Sequence, residues 1–483
     1  MQFRPLLNSI LLACALVTTH SSIAQTELKL PDLGTSALQV LPIEKEQAIG
    51  EVMMMQLRSR SPVVGDPVLE EYLASLGNRL VANANDVRFP FTFFWINNKD
   101  INAFAFYGGH VGVHTGLIAQ SDNESQLASV IGHEIAHVTQ RHLARRVQNA
   151  QDNSALTIAG LITGILATVV APDAGIAILS ASQTQSSLNQ LTHSRKAEQE
   201  ADRFGMNTLY KAGFDPNAAS EFLTKLSDQI RFKNKPPAFL LTHPLPDSRV
   251  SDVRLRAQQF EKKHYSSSLS YALAKSRVLA RYYYDDDTAV AFFQNQLQQS
   301  QKLDKRAIKY GLAIALLDTK QYQESGKLLD ELLAKEPNNL FYLDVYTDYL
   351  IATDAPQKAV EMLSAQHQLR PNNQVITLNY ANAAIKVKQY ELAEQLLKIF
   401  LLEKPEHILA RDLLTQAYEF LDNKAAYHES KASVYSQYGA FSKAADEVQR
   451  ALNHVQDNED IKRTRLKALL SQYRNMQKEI AKL

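Results

Sequence analysis

The second half of this chain repeats itself at a fixed interval of 34 residues. Three sets of matching positions define the interval: Pro337, Pro371 and Pro405; Tyr346 and Tyr380; Ala359 and Ala393. A repeat of this length holds two helices, and neither can bury its apolar face without the neighbouring repeats. The period therefore predicts stacked helix pairs that form an α-solenoid.

This period is typical of tetratricopeptide repeats, in which a proline ends the second helix of each pair. The flanking segments 271–299, 304–334 and 440–451 continue the helical pattern less regularly, as capping repeats do. We expect about four to six helix pairs in all. The repeats supply no catalytic set of side chains, so their concave face is expected to bind a polypeptide or a partner complex.

The first half contains the pattern His-Glu-x-x-His within an apolar-periodic segment. Residues 121–123 offer helix-capping oxygens, and His133 and His137 lie four apart, so both imidazoles share one helix face. Two such histidines can bind one zinc ion, while Glu134 can accept a proton from the attacking water instead of binding the metal. The alternative is a surface helix with two chance histidines.

A catalytic zinc site needs a third protein ligand, and the best candidate lies in a second helical segment downstream. Glu198 would complete the ligand set, and Asp202, one turn later, would hold the ring N–H of a ligand histidine and support catalysis. Glu200 is the rival for the metal, although it projects from a different helix face. An acidic, solvated helix face is the ordinary alternative.

These motifs resemble the M48 family of zinc metallopeptidases. The two helical motifs carry the resemblance together with Asn-Ala-Phe-Ala-Phe-Tyr-Gly-Gly at 102–109 and Thr-His-Pro at 242–244. The resemblance implies a mainly α protein with a small β-sheet, in which a gluzincin-like metallopeptidase domain precedes the tetratricopeptide α-solenoid. It also implies one Zn²⁺ per chain and the hydrolysis of peptide bonds within proteins.

An aromatic segment at 91–96 predicts a buried strand, and two short strands are expected around the glycine turn that follows it. Such a strand borders the cleft in the resembled family. Gly109, His110 and Val111 are therefore candidates for binding an extended substrate by strand addition. The glycines could instead merely permit a tight turn. His110 and His114 are interpreted as polar-face residues of the strand, not as metal ligands.

The segment 241–249 is a loop whose two prolines hold it extended. His243 could approach the zinc and occupy the position of the catalytic water, which would give a self-inhibited resting state. Alternatively, His243 or Arg249 could donate a hydrogen bond to the oxyanion of the scissile carbonyl. A third interpretation is that both residues only fix the fold.

Residues 1–24 read as a cleaved secretory signal, with Arg4 before an apolar run at 6–17 and small residues ending at Ala24. A retained anchor or lipidation at Cys14 are weaker alternatives. Cys14 is the single cysteine, so the mature zinc site cannot use sulfur. With the resemblance, this signal implies a periplasmic protein in quality control of outer-membrane β-barrel proteins. The implied clients are unfolded or misassembled outer-membrane proteins, with the barrel-assembly machinery as partner through the repeats.

Residues 155–180 are mostly apolar around a polar turn and predict a helical hairpin that covers the site. Its tip could make a peripheral membrane contact or meet a partner, and a transmembrane hairpin is the alternative. Residues 183–192 are expected to be a mobile segment over the cleft. A formal net charge of +1 argues against nucleic acid as a ligand.

The predicted organisation is a signal peptide at 1–24, a zinc metallopeptidase domain at 25–263 and a solenoid at 264–483. A competing hypothesis is a chaperone-like scaffold with a structural zinc, for which His243 would be the fourth ligand. A third is an integral-membrane relative of the same peptidases. The sequence does not specify substrates, cleavage preference or oligomeric state.

Overall fold

The computed structural model describes residues 41–149, 194–232, 237–261, 263–299 and 304–480. The predicted signal peptide at 1–24, the predicted helical hairpin at 155–180 and the segment 183–192 that was expected to be mobile lie outside these residues. Within the described ranges, no helix has both the length and the apolar content needed to cross a bilayer.

Helices of the first half surround a small sheet. They are α1 (Ile43–Arg60), α2 (Pro67–Val81), α3 (Thr115–Gln120), α4 (Glu124–Thr139), α5 (His142–Asn149), α6 (Arg195–Lys211), α7 (Asn217–Phe232), α8 (Phe239–Thr242) and α9 (Asp247–Ala257). Asp66 caps α2 by accepting a hydrogen bond from the Leu69 amide at 3.3 Å. The helix buries one apolar stripe in the core, which consists of Leu69, Tyr72, Leu73, Leu76 and Leu80.

The sheet contains β1 (Thr92–Ile96), β2 (Ala103–Phe106) and β3 (His110–His114), in the order β1-β3-β2. Strand β3 pairs in parallel with β1 and antiparallel with β2. Gly108 and Gly109 turn the chain between β2 and β3 with φ angles of 79° and 83°, a region that favours glycine. The two expected strands around a glycine turn are confirmed.

Helices α4 and α6 cross in close contact, and glycines at the crossing permit it. A Cβ atom on Gly205 would lie 3.0 Å from the backbone of His133, and one on Gly132 would lie 3.4 Å from the Gly205 carbonyl oxygen. The two backbones approach closely here, and His133 and His137 of α4 converge with Glu198 of α6 on a common point.

The second half is a series of paired helices. They are α10 (Leu269–Val278, continued by a π-helical turn at Leu279–Tyr283), α11 (Asp286–Gln299), α12 (Lys305–Asp318), α13 (Tyr322–Lys335), α14 (Leu340–Ala352), α15 (Pro356–Leu369), α16 (Gln374–Lys386), α17 (Tyr390–Glu403), α18 (Ile408–Phe420), α19 (Lys424–Gln437), α20 (Phe441–Asn453) and α21 (Asp460–Ile480). Pro337, Pro371 and Pro405 each follow the second helix of a pair, as the period predicts.

The peptidase half and the first repeats share one hydrophobic core. A continuous cluster of buried side chains runs from Val64 in the peptidase half to Val375 at the start of α16. The two halves also cap each other: Glu124 at the start of α4 accepts hydrogen bonds from the Ser268 amide and hydroxyl, both at 2.8 Å, and donates its own amide to Ser267. Side-chain packing is therefore continuous between the two parts of the chain that the sequence separates at residue 263.

Candidate metal centre

Four buried side chains from three segments converge in the peptidase half. His133 and His137 come from α4, Glu198 comes from α6, and His243 follows α8. One ligand atom from each of these residues lies within 4.8 Å of the others. The structure thus brings the three predicted ligands together and adds His243 to them.

The spacing of the donor atoms fits a zinc ion. The two histidine Nε2 atoms are 3.0 Å apart, and carboxylate oxygens of Glu198 lie 3.4 Å from each of them. Zinc bonds to nitrogen and oxygen are about 2.0–2.2 Å long, so tetrahedral coordination places two donors roughly 3.3–3.6 Å apart. A nitrogen and oxygen donor set without sulfur is also typical of catalytic zinc sites.

His243 occupies the fourth corner of this group. Its Nδ1 atom lies 3.4 Å from His133 Nε2 and 3.1 Å from Glu198 Oε1. The ring stacks on Phe239 with centroids 4.4 Å apart, and the Phe239 amide is hydrogen-bonded to the Ile101 carbonyl at 3.2 Å. Of the three roles left open by the sequence, this position favours occupation of the water site.

Glu134 lies beside the cluster and is 1 % exposed. Its Oε1 atom makes no hydrogen bond to the described residues and lies 3.4 Å from His243 Nε2. Burial raises the pKa of this carboxyl above its ordinary value, and a higher pKa makes a carboxylate a stronger base. The arrangement suits a proton acceptor that does not itself bind the metal.

Asp202 stands behind His133, away from the other donors. Its Oδ1 atom is 3.0 Å from His133 Nδ1, so the Nε2 atom of the same ring is left to face the cluster. Burial lowers the pKa of His133, but hydrogen bonds to Asp202 and Glu198 outweigh burial and raise the pKa to about 9. This position matches the predicted orienting role, and Asp202 does not contact the site where a substrate would react.

Arg249 is held by the same two carboxylates. Its guanidinium binds both oxygens of Asp202, at 2.7 and 2.9 Å, and its NH1 atom lies 2.6 Å from Glu198 Oε2. It is 3 % exposed and also donates to the Pro244 carbonyl. With its donors engaged in this way, Arg249 is placed to fix the carboxylates, and the expectation that it donates to an oxyanion is not supported.

The sequence motifs did not single out His142. Helix α4 ends at Thr139, and Arg141 adopts a positive φ of 52°. The chain turns there and brings His142 back against His137. Glu200, the rival ligand, lies 3.0 Å from His142 and outside the four-donor group. A third histidine just after the motif was the available signal, but its spacing does not fit a continuous helix.

The structure places the predicted substrate strand in the middle of the sheet. Strand β3 is hydrogen-bonded on both sides, so Gly109, His110 and Val111 have no free strand edge to offer. The glycines serve the turn, and both His110 and His114 are buried instead of lying on a polar face. Strands β1 and β2 are the two edges of this sheet among the described residues.

Comparison with known proteins agrees with this site. The profile of peptidase family M48 matches residues 67–257, and a tetratricopeptide-repeat profile matches residues 350–417. M48 peptidases depend on zinc, and the ligand cluster falls within the matched region.

Relatives resemble the chain over most of its length. The β-barrel assembly-enhancing protease of Yersinia pestis is 43 % identical over 388 residues, which are 80 % of each chain. The protein of that name from Escherichia coli strain K12 is 38 % identical and covers 98 % of this chain and 96 % of its own. A human mitochondrial metalloendopeptidase, OMA1, is 31 % identical over 160 residues, or 32 % of this chain and 30 % of its own.

Proposed function

This chain belongs to the family of β-barrel assembly-enhancing proteases, zinc metallopeptidases of family M48 with tetratricopeptide repeats, and from that premise we propose that it is a periplasmic endopeptidase acting on unfolded or misassembled outer-membrane proteins. The relatives' names imply an envelope location. The export signal in residues 1–24 supports the periplasm in particular.

The observation that carries this proposal is the four-donor cluster beside a buried glutamate. His133 and His137 through Nε2 and Glu198 through its carboxylate would hold zinc. Zinc, when bound, supplies a Lewis acid that acidifies water and polarises the scissile carbonyl. Asp202 orients His133, and Arg249 holds both acidic side chains in place.

The chain's own residues perform the proton transfers. Glu134 takes a proton from water as the water adds to the scissile carbonyl, and then passes that proton to the leaving amine. We place the substrate along β2, whose outer edge has no strand partner among the described residues, in an extended conformation. Backbone pairing of this kind suits a protease with loose sequence preference.

His243 acts as a removable latch in this scheme. In the present structure its ring occupies the fourth corner of the cluster and faces Glu134, so attacking water has no room there. His243→Ala should raise peptidase activity on an unfolded protein such as casein while zinc content stays at one per chain. Unchanged activity would remove the latch, and a loss of both zinc and activity would make His243 a required ligand.

The repeats supply protein–protein interaction, and we propose that they bind clients or the barrel-assembly machinery. Their fusion to the peptidase through one core means that a bound client is held at a defined distance from the cluster. Among the described residues, the group of side chains that could hold a metal ion lies outside the repeats, which contribute none of its members.

Glu134→Gln tests the proposed activity. The variant keeps the ligand set, so it should retain zinc and the fold while casein cleavage falls by roughly 10²–10⁴-fold, the usual contribution of a general base. A chelator should abolish cleavage by the unmodified chain, and added zinc should restore it. Retained cleavage by a pure Glu134→Gln sample would contradict the assignment.

The His243 geometry also favours a second candidate, a scaffold whose zinc is structural, because structural sites have four protein ligands. Zinc content and the casein digest separate the two functions. Bound zinc without cleavage, in both the unmodified chain and His243→Ala, would favour the scaffold. Crosslinking of Glu134→Gln to clients would then identify what the repeats bind.

A further inference from the structure

His137 has a polar contact on the side of its ring that faces away from the ligand cluster. Its Nδ1 atom lies 2.7 Å from the Nδ1 atom of His142, while its Nε2 atom faces His133 and Glu198. His142 is 5 % exposed and begins α5 directly after the break at Arg141. The break itself is held by a buried ion pair between Arg141 and Glu46.

The contact continues to a carboxylate. His142 Nε2 lies 3.0 Å from Glu200 Oε2, and the Arg145 guanidinium holds the same oxygen at 2.6 Å. Glu200 stands on α6, two residues after the ligand Glu198 and two before Asp202. Helix α6 thus contributes Glu198 to the ligand cluster. It also places Asp202 behind His133, and Glu200 behind His137 by way of His142.

Hydrogen-bond chemistry fixes which group donates and which accepts in the contacts from His137 through His142 to Glu200. Two imidazole nitrogens at hydrogen-bonding distance share one proton, so one ring donates and the other accepts. A histidine that binds metal through Nε2 carries its proton on Nδ1, so His137 donates to His142. His142 then carries its own proton on Nε2 and donates it to the Glu200 carboxylate, which accepts only.

We propose that His142 and Glu200 are positioning residues for zinc: together they set the tautomer and ring orientation of His137, as Asp202 does for His133. A ligand histidine usually donates its second ring N–H to a carboxylate, carbonyl or water, and loss of that partner weakens metal binding. Here the partner of His137 is a second histidine, His142. The carboxylate of Glu200 contacts His142 and not His137 itself. Arg145 keeps the carboxylate in place.

The inference rests on the proposed ligand set, so the unmodified chain is titrated first with zinc against a chromophoric chelator. His142→Phe removes the group that accepts a hydrogen bond from His137. This variant should weaken zinc binding by about 10–100-fold. His142→Asn, whose side-chain oxygen can accept from His137, should recover most of that loss. The thermal midpoint of the chelated, zinc-free protein should stay the same in all three forms.

A matched control is His428→Phe, because His428 also pairs with a glutamate, Glu447 at 2.6 Å, but in the solenoid. Its zinc affinity should equal that of the unmodified chain. Glu200→Ala gives an independent test: it should weaken zinc binding, and combining it with His142→Phe should cost nothing more, because Glu200 acts through His142.

Unchanged zinc affinity in His142→Phe would overturn the proposal, and so would additive losses in the double variant. A lower thermal midpoint of the zinc-free variants with unchanged affinity would give these residues a purely structural role. In each of these cases stoichiometric zinc binding by the unmodified chain would leave the proposed function standing. Failure of the unmodified chain to bind zinc would overturn both.

Discussion

At the residue scale, the histidines of the peptidase half differ in what surrounds each ring. The Nε2 atoms of His133 and His137 each face a carboxylate oxygen of Glu198, and the Nδ1 atom of each ring contacts a second polar side chain. His114 is fully buried at the end of β3, beside the ring of Phe104. The same type of side chain is therefore placed as a candidate metal ligand at one position and as a neutral core residue at another.

His114 predicts a loss of stability in acid. Burial lowers its pKa to about 4, against an ordinary value near 6.5. Between these pH values the unfolded chain binds a proton that the folded chain excludes, so the contribution of His114 is lost as pH falls through 6.5 toward 4. The free energy of unfolding should be about 2 kcal/mol lower at pH 5 than at pH 7 from this group alone.

Urea unfolding of the unmodified chain and of His114→Leu at both pH values checks this. Other groups titrate equally in the two proteins, so the prediction concerns the difference between their pH dependences. A variant with the same pH dependence as the unmodified chain would contradict it.

At the element scale, the site is the product of a helix crossing. Helix α4 supplies two histidines one turn apart, and α6 supplies acidic residues at 198, 200 and 202. Each helix follows from its own sequence, including Asn123 and Ser194 as caps. The metal site, however, depends on the angle and distance at which the two helices meet.

Gly205→Ala should disturb the site without touching a ligand. The added methyl would lie 3.0 Å from the His133 backbone, so α6 must move away. Overpacking of this kind costs about 1–3 kcal/mol, and zinc affinity should fall because Glu198 moves with the helix. Thermal unfolding and zinc titration measure both effects.

Gly65→Ala is the matched control, because a Cβ atom there meets no other atom within 4 Å. It should leave stability and zinc affinity close to those of the unmodified chain. If Gly205→Ala behaved like this control, the close crossing would not be what positions Glu198.

At the scale of the whole molecule, a buried arginine joins the two halves. Arg277 of α10 contacts Asp66, which caps α2, at 2.6 Å and Asp344 of α14 at 2.7 Å. It also donates to the Tyr310 hydroxyl at 3.1 Å. Helix α2 packs against α4 on one side and against the solenoid on the other. Buried ion pairs therefore join the two halves in addition to their common hydrophobic core.

Arg277→Met should destabilise the molecule by about 3–5 kcal/mol, because it leaves two buried carboxylates without their cation. Adding Asp66→Asn and Asp344→Asn should recover much of this loss, since the buried charges are removed as well. Thermal unfolding and limited proteolysis near residue 263 measure the effect.

Arg306→Met provides the contrast, because its ion pair with Asp304 lies on a side chain that is 45 % exposed. Exposed pairs contribute about 0–1 kcal/mol. Equal effects of the two arginine variants would mean that Arg277 does not bridge the halves.

Features that depend on local spacing along the chain could be predicted from the amino-acid sequence alone. The interval of 34 residues specified the solenoid, and the four-residue spacing of His133 and His137 specified a metal-binding helix. The sequence also indicated Glu198 as the third metal ligand and Asp202 as a partner for a ligand histidine, since residues four apart lie on one helix face. These results need only the geometry of one helix.

Features that depend on contacts between distant segments could not be predicted in this way, because they follow from how the elements pack. Strand order placed β3 in the middle of the sheet and left β1 and β2 at its two edges, although β2 and β3 are neighbours in the sequence. A single positive φ at Arg141 turned His142 back onto His137, and the loop after α8 brought His243 into the cluster. Residue type and spacing along the chain do not encode such approaches, because they arise from how separate elements pack.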